Sequence, residues 1–193
     1  MNKIAWVLGS GSPRRKELLA GIGVVFDVRT KETPEVYPPD MAVELVPEFL
    51  ASLKAAALLP DLSENEALIC ADTVVILNGE ILGKPEDESD AEQMLQRLSG
   101  NMHTVITGVF IGNRQRQLTF SERTDVTFGK LTTEEIQSYI RNYRPLDKAG
   151  SYGVQEWFGY VAVDKLDGTY TNVMGLPTNM VYRKIQEFEN FEF

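Results

Sequence analysis

The sequence predicts an α/β fold, a mixed and twisted sheet with flanking helices. Three observations predict it. An apolar run from Ile4 to Leu8 passes through a hydroxyl-rich turn straight into a helical pattern from Pro13 to Ile22, as a strand entering a crossover helix does. A longer apolar run, Ala67 to Leu77, ends at Asn78-Gly79, the residue pair that closes a tight hairpin. Strand-like and helix-like segments then alternate without repeats, low-complexity stretches or a Gly/Ser/Pro-rich linker, so hairpins stand beside crossovers. At 193 residues, a single domain over 1–193, or two closely joined lobes, is expected.

Each element follows from local pattern. In the first helix Ser12 suits the N-cap and Pro13 the first helical position. Val24–Val28 reads as a second strand, and residues 30–40, with three prolines, as a loop. A helix from Asp40 through Leu59 is predicted, with Val43, Val46, Leu50, Leu53 and Ala57 on its buried face. Pro47 within it demands a kink or a late start. Glu80–Leu82 returns from the hairpin. Glu86 to Leu98 is an acidic amphipathic helix stopped by Ser99-Gly100. Met102–Ile111 and Gln117–Phe128 are strands joined through Gly112-Asn113. A helix over Thr132–Asn142 starts with a capping box, Thr132 reaching toward Glu135. Tyr160–Lys165 and Tyr170–Val173 read as short strands around Asp167-Gly168, and Leu176 to Phe188 as a closing helix.

Composition narrows the function classes. A formal charge of −9 disfavours an unspecific nucleic-acid binder, whose affinity rests on clustered cations. It leaves room for a small phosphorylated ligand, provided the few cations gather in one place or a metal is recruited. The one cysteine, Cys70, has no internal disulfide partner, as expected in a reducing compartment. Met1-Asn2-Lys3 leads into an apolar run too short for a signal sequence, and no stretch approaches the roughly 18 apolar residues of a membrane span. A cytoplasmic protein with no membrane partner is the expectation.

Chemistry concentrates in a few segments. Ser10-Gly11-Ser12-Pro13-Arg14-Arg15 is an anion receptor by composition: hydroxyls, the unsatisfied N–H groups of a helix start, and two guanidinium groups that match phosphate oxygens. Asp72 sits in Leu68-Ile69-Cys70-Ala71-Asp72-Thr73-Val74-Val75, where an unpaired carboxylate costs several kcal/mol, so cations, a metal or hydrogen bonds are required beside it. Lys54 interrupts the apolar arc of its helix, which a snorkelling side chain also explains. Lys84, in Gly83-Lys84-Pro85, has its backbone restricted by the neighbouring proline, though a solvated turn lysine would read the same. Glu35 has no local advantage over Glu32 in its loop. His103, the only histidine, and Cys70 read as structural. The stretch Asp147-Lys148-Ala149-Gly150-Ser151-Tyr152-Gly153-Val154-Gln155 has the make-up of a binding loop or of a plain turn.

Taken in order, these segments resemble the Maf family of nucleoside triphosphate pyrophosphatases. The matching blocks are Leu8 to Arg15 with Glu17-Leu18-Leu19, Lys54-Ala55, Ala71-Asp72-Thr73, Gly83-Lys84-Pro85, Leu98-Ser99-Gly100 with His103, Asp147 to Gln155, and Gly175-Leu176-Pro177. The resemblance implies two lobes around a central cleft, the fold shared with inosine triphosphatases. It also implies metal-dependent hydrolysis of a nucleoside triphosphate to monophosphate and pyrophosphate, a house-cleaning role in nucleotide metabolism. Carried over residue by residue, it places substrate binding on Ser10, Ser12, Arg14 and Arg15, with Lys54 and Lys84 as phosphate-binding lysines. It makes Asp72 the proton acceptor and sets specificity at Arg14, Thr73 and Gln155. Asp72 and Glu35 become ligands of a divalent cation, Mg²⁺ or Mn²⁺. The Tyr-Gly-Val-Gln form is similar to the branch acting on dTTP and UTP, and a homodimer is compatible with it. Gly9 stands where many members carry alanine, a difference expected to be harmless. The rival readings are a pyrophosphatase for 7-methyl-GTP, and a nucleotide-binding regulator of cell division and septum formation.

Overall fold

The computed structural model describes residues 4–189; Met1-Asn2-Lys3, read above as the lead-in to the first strand, lies outside the described residues. Strands β1 (Ala5–Leu8), β2 (Phe26–Val28), β3 (Glu66–Leu77), β4 (Glu80–Leu82), β5 (Met102–Gly112), β6 (Gln117–Phe128) and β7 (Val163–Asp167) form one sheet. Its order is β2-β1-β3-β5-β6-β7, with β4 paired to β3. β1 runs parallel to β2 and β3, whereas β3–β4 and β6–β7 are antiparallel. The sheet is therefore mixed, as expected. The chain divides into two compact units, one of residues 4–72, 107–122 and 175–189 and the other of 73–106 and 123–174.

The first unit begins with two parallel crossovers. β1 leads through α1 (Pro13–Gly21) to β2, and β2 through α2 (Val46–Leu58) to β3. Because β2 lies on one side of β1 and β3 on the other, the chain reverses its direction of winding at β1. The alternation of a strand assigns the two faces. Trp6, Leu8, Ala67 and Ile69 pack with Leu19 of α1 and with α7 (Thr178–Glu189). Val7, Leu68 and Cys70 pack with Ala51, Ala55 and Leu58 of α2. Burial on both faces is why β3 reads as a continuous apolar run.

Pro47 falls in the first turn of α2, after a short 3-10 turn at Val43–Leu45. The helix thus starts late, where proline needs no hydrogen-bond acceptor. Asp40 is not its cap, and the buried stripe overlaps the expected one only in part: Val46 and Leu50 are buried as expected, together with Ala51, Ala55 and Leu58, while Val43, Leu53 and Ala57 are half-buried. Small alanines let the helix lie close on the sheet. Ser12 holds the N-cap position of α1 with Pro13 in the first turn, but its side chain makes no capping bond.

In the second unit the Asn78-Gly79 turn has φ of 52° and 81°, the pairing a type I′ turn requires. α3 (Glu88–Leu98) is capped by Asp87, and α4 (Thr133–Tyr143) by the expected capping box with both reciprocal bonds. Two expectations fail between residues 157 and 174. The predicted strand Tyr160–Lys165 is helix α5 (Trp157–Ala162) followed by β7, and Tyr170–Val173 is helix α6 (Tyr170–Met174). Gly159 explains the first, since a Cβ there would stand 1.7 Å from the Val154 carbonyl oxygen and only a glycine lets α5 close onto that turn. The second is pinned by buried Asn172, whose Nδ2 donates to Val105 O (3.1 Å) and Thr124 Oγ1 (2.9 Å).

Candidate active site

In open α/β sheets, ligands bind beyond the carboxyl ends of parallel strands where winding reverses. In the first unit that place is the end of β1 beside β3. The Gly9 N–H donates to Ile69 O (2.8 Å) and extends the β1–β3 ladder by one residue. The chain then leaves the sheet at Ser10, which is buried, and turns into α1. Ser10 Oγ accepts from the Ser12 N–H (3.3 Å) and from Arg15 Nη1 (3.4 Å), while Arg15 Nε donates to Gly175 O (2.8 Å). Ser10 and Ser12 therefore shape the turn as a pair.

Asp72 shares its strand parity with Leu68 and Cys70 and faces α2. It is 8% exposed, and β3 continues through it without a break. Lys54 of α2 supplies the cation that the sequence demanded: its Nζ donates to Asp72 Oδ1 at 2.5 Å and pairs with Glu35 Oε1 at 2.8 Å. Lys54 thus turns inward onto a carboxylate instead of snorkelling. The loop ligand of Lys54 is Glu35, although Glu32 lines the same space. That space is a cavity of ≈ 710 Å³ bounded by Ser10, Arg15, Glu32, Glu35 and Lys54. Arg15, not Arg14, is the guanidinium among its lining residues, and Arg14 is half-buried beside it on α1.

The electrostatics follow from this crowding. Burial pushes the Arg15 guanidinium below its ordinary value, with Arg14 adding to the effect and Asp72 and Glu35 opposing it. Burial acts the same way on Lys54, but Asp72 and Glu35 outweigh it, so Lys54 holds its proton more tightly than an exposed lysine. Burial raises the Cys70 thiol to about 12 against the pull of Lys54 and Arg15, which makes it an inert core group. Glycine is accommodated at position 9, and an alanine would not be: a Cβ there would stand 2.3 Å from Cys70 Sγ and 2.9 Å from Leu58 Cδ1. In this chain the cysteine fills the room an alanine would need.

Thr73, Lys84 and Gln155 belong to the second unit. Lys84 is exposed, and its loop is tied to the 147–156 segment by the Gly150 N–H donating to Gly83 O (3.0 Å). Gly150 has φ of 67° and carries no Cβ to collide with Val75. Gln155 Oε1 is buried and accepts no hydrogen bond among the described residues. A buried acceptor left unmatched costs stability. His103 is structural, as read: it is buried, Nε2 meets Tyr152 Oη at 2.8 Å, and burial lowers it to about 4.

Sequence reasoning missed one group. Lys148, 7% exposed, pairs with Asp147 (2.8 Å) and Glu156 (3.2 Å), and Glu156 accepts from the Tyr139 hydroxyl. Tyr139 Oη in turn accepts from the Gly153 N–H (3.0 Å). Burial first, and then the bond to Glu156, push this phenol above its ordinary range. A lysine between Asp147 and two small residues was the available signal.

A divalent cation, where the family uses one, needs hard oxygen donors. Among the described residues no group of three or more His, Cys, Asp or Glu side chains could hold a metal. Asp72 and Glu35 nonetheless meet on one ammonium group. Two carboxylates of this kind fit Mg²⁺ or Mn²⁺ when phosphate oxygens and water fill the remaining positions.

Fold and site define a class: an α/β protein with a hydroxyl-bearing turn, two cations and a buried carboxylate gathered at the carboxyl end of its first strand. The family profile described as Maf-like protein matches residues 5–188, and the chain belongs to that family. It is 47% identical over 188 residues to a protein of Phocaeicola vulgatus named dTTP/UTP pyrophosphatase, covering 97% of each chain. It is 48% identical over 182 residues to one of Bacteroides fragilis with the same name, covering 94% of each. A solved nucleoside-triphosphatase, a dITP/XTP pyrophosphatase of Mycobacterium abscessus, is similar with a TM-score of 0.49 and 11% identity, over 98% of this chain and 100% of that one. No helix among the described residues is long and apolar enough to cross a membrane.

Proposed function

We propose that this protein hydrolyses nucleoside triphosphates between the α and β phosphates, with dTTP and UTP as preferred substrates, releasing the monophosphate and pyrophosphate. The observation that carries this reading is Lys54, held between buried Asp72 and Glu35 on the wall of a ≈ 710 Å³ cavity that it shares with Ser10 and Arg15. The name borne by relatives at 47–48% identity supports the substrate.

A triphosphate carries about four negative charges, and its cleavage depends on positioning and neutralisation. Arg15, Lys54 and the positive end of the α1 dipole receive phosphate oxygens, and Arg14 and Ser12 complete the turn that presents them. As anionic oxygens arrive, Lys54 transfers its donors from the carboxylates to the phosphate. Asp72 is then free to orient a water molecule and accept its proton as the phosphoanhydride bond breaks. A divalent cation, for which Asp72 and Glu35 would be the protein ligands, would add charge neutralisation at the phosphate. Following the family pattern, Lys84 is assigned to phosphate and Thr73 and Gln155 to the base. The unmatched Oε1 of Gln155 suits the N3–H of thymine or uracil and repels the N3 lone pair of cytosine.

The test is a product assay with dTTP, UTP, CTP, GTP and 7-methyl-GTP, each with and without Mg²⁺ or Mn²⁺. Equal yields of monophosphate and pyrophosphate, highest for dTTP and UTP and dependent on the cation, are expected. Preference for 7-methyl-GTP overturns the substrate. Tight nucleotide binding without pyrophosphate release overturns the enzyme reading in favour of a regulator.

A further inference from the structure

We propose that Tyr139 and Glu156 are positioning residues for base selection, acting through the Gly153–Glu156 turn that carries Gln155. The inference rests on the pyrimidine-selective reading above and names how that selectivity is held in place.

Gln155 cannot aim itself. Its Oε1 has no partner among the described residues, so no side-chain bond fixes the acceptor. Its direction comes from the main chain. The turn is closed by the Glu156 N–H donating to Gly153 O (3.1 Å), and Gln155 occupies one of its two central positions. The amide packs against Gly153 so closely that a Cβ there would meet Nε2 at 2.9 Å. Any shift of Gly153 is therefore passed to the carboxamide.

The polar groups around the turn hold its two ends. Tyr139 Oη accepts the Gly153 N–H at 3.0 Å, and the same hydroxyl donates to Glu156 Oε2. The other carboxylate oxygen of Glu156 pairs with Lys148 at 3.2 Å. Both ends of a four-residue turn are thus tied to one phenol, and the phenol to one carboxylate. The Tyr139 ring is independently anchored, 4.8 Å from Phe158 and stacked 5.0 Å from Tyr143. Removing the hydroxyl alone leaves that packing in place.

The experiment measures kcat and KM for dTTP, UTP and CTP on the wild type and on Tyr139→Phe, Glu156→Gln, Glu156→Ala, Gln155→Ala and the Tyr139→Phe/Gln155→Ala double variant. Tyr139→Phe is expected to lower the dTTP-to-CTP ratio of kcat/KM about fivefold, the effect of one lost hydrogen bond. The loss falls on KM for dTTP and UTP and leaves CTP unchanged. Glu156→Gln, which still accepts from Tyr139, keeps most of the ratio that Glu156→Ala loses. The double variant discriminates no less than Gln155→Ala alone, because the hydroxyl acts through that side chain. An unchanged ratio in Tyr139→Phe overturns the proposal, as does an equal fall for all three nucleotides, the mark of a merely structural role. A wild type indifferent to the base overturns the substrate reading and this proposal together, and shows it before any variant is compared.

Discussion

Each unit contains a lysine between two carboxylates, and the two triads differ in what surrounds them. Lys54 joins Asp72 and Glu35; Lys148 joins Glu156 and Asp147. The Lys148 side chain is 9% exposed, and its inner carboxylate has a second donor, Tyr139, which is itself bonded to the main chain. The Lys54 side chain is 21% exposed and forms part of a cavity wall. An ion pair whose inner carboxylate is bonded back to the main chain through a tyrosine holds a loop. One that faces open volume can exchange its partner for an anion that arrives. Residue types alone do not separate structure from chemistry here; the space beside them does.

Four measurements break or sharpen this contrast. Lys54→Met is expected to cut turnover about 10³-fold, as loss of a preorganised cation at a reacting phosphate does. It also leaves Asp72, whose side chain is 11% exposed, without its cation, at a stability cost of about 3 kcal/mol. Lys148→Met leaves half-buried Glu156 with its Tyr139 donor still in place, costs about 2 kcal/mol in denaturant unfolding, and lowers turnover per folded molecule less than tenfold. If both variants lose activity to the same extent, the contrast is false.

Acid titration probes the second unit separately. His103 titrates near 4 when folded and near 6.5 when unfolded. Between those values the unfolded chain binds a proton that the folded chain refuses, so stability falls as pH drops from 6.5 to 4, by about 3 kcal/mol, and is unaffected above. His103→Gln, which can keep a bond to Tyr152, should flatten that slope in thermal unfolding. The smallest effect belongs to the first unit: Gly9→Ala should cost about 2 kcal/mol through overpacking against Cys70, and Cys70→Ala in the same chain should recover most of it.

Much of the site was legible because it broke local rules. Asp72 in an apolar strand required a compensating partner, and Lys54, out of place in an apolar arc, is that partner. Asn78-Gly79 and the Thr132 capping box were readable because turn and cap chemistry is local. What escaped depended on packing. Arg14 and Arg15 are adjacent on one helix and point about 100° apart, so only the seating of α1 decides which one lines the cavity. The helices at 157–162 and 170–174 carry strand-like sequences, and their form is set by Gly159 against Val154 and by buried Asn172. Glu156 and Tyr139 lie 17 residues apart, and nothing in either segment announces the other. Nothing beside Gly9 in the sequence announces that an alanine would not fit, because the atom that forbids it, Cys70 Sγ, comes from a neighbouring strand.

The most direct test of the account is the turnover of Asp72→Asn with dTTP and Mg²⁺, measured as pyrophosphate formed per folded molecule. Asparagine preserves the size of the side chain and one acceptor for Lys54 while removing the group that takes the proton. The account predicts a fall of about 10³-fold or more with thermal stability little changed. A folded Asp72→Asn protein that releases pyrophosphate at the wild-type rate would contradict it.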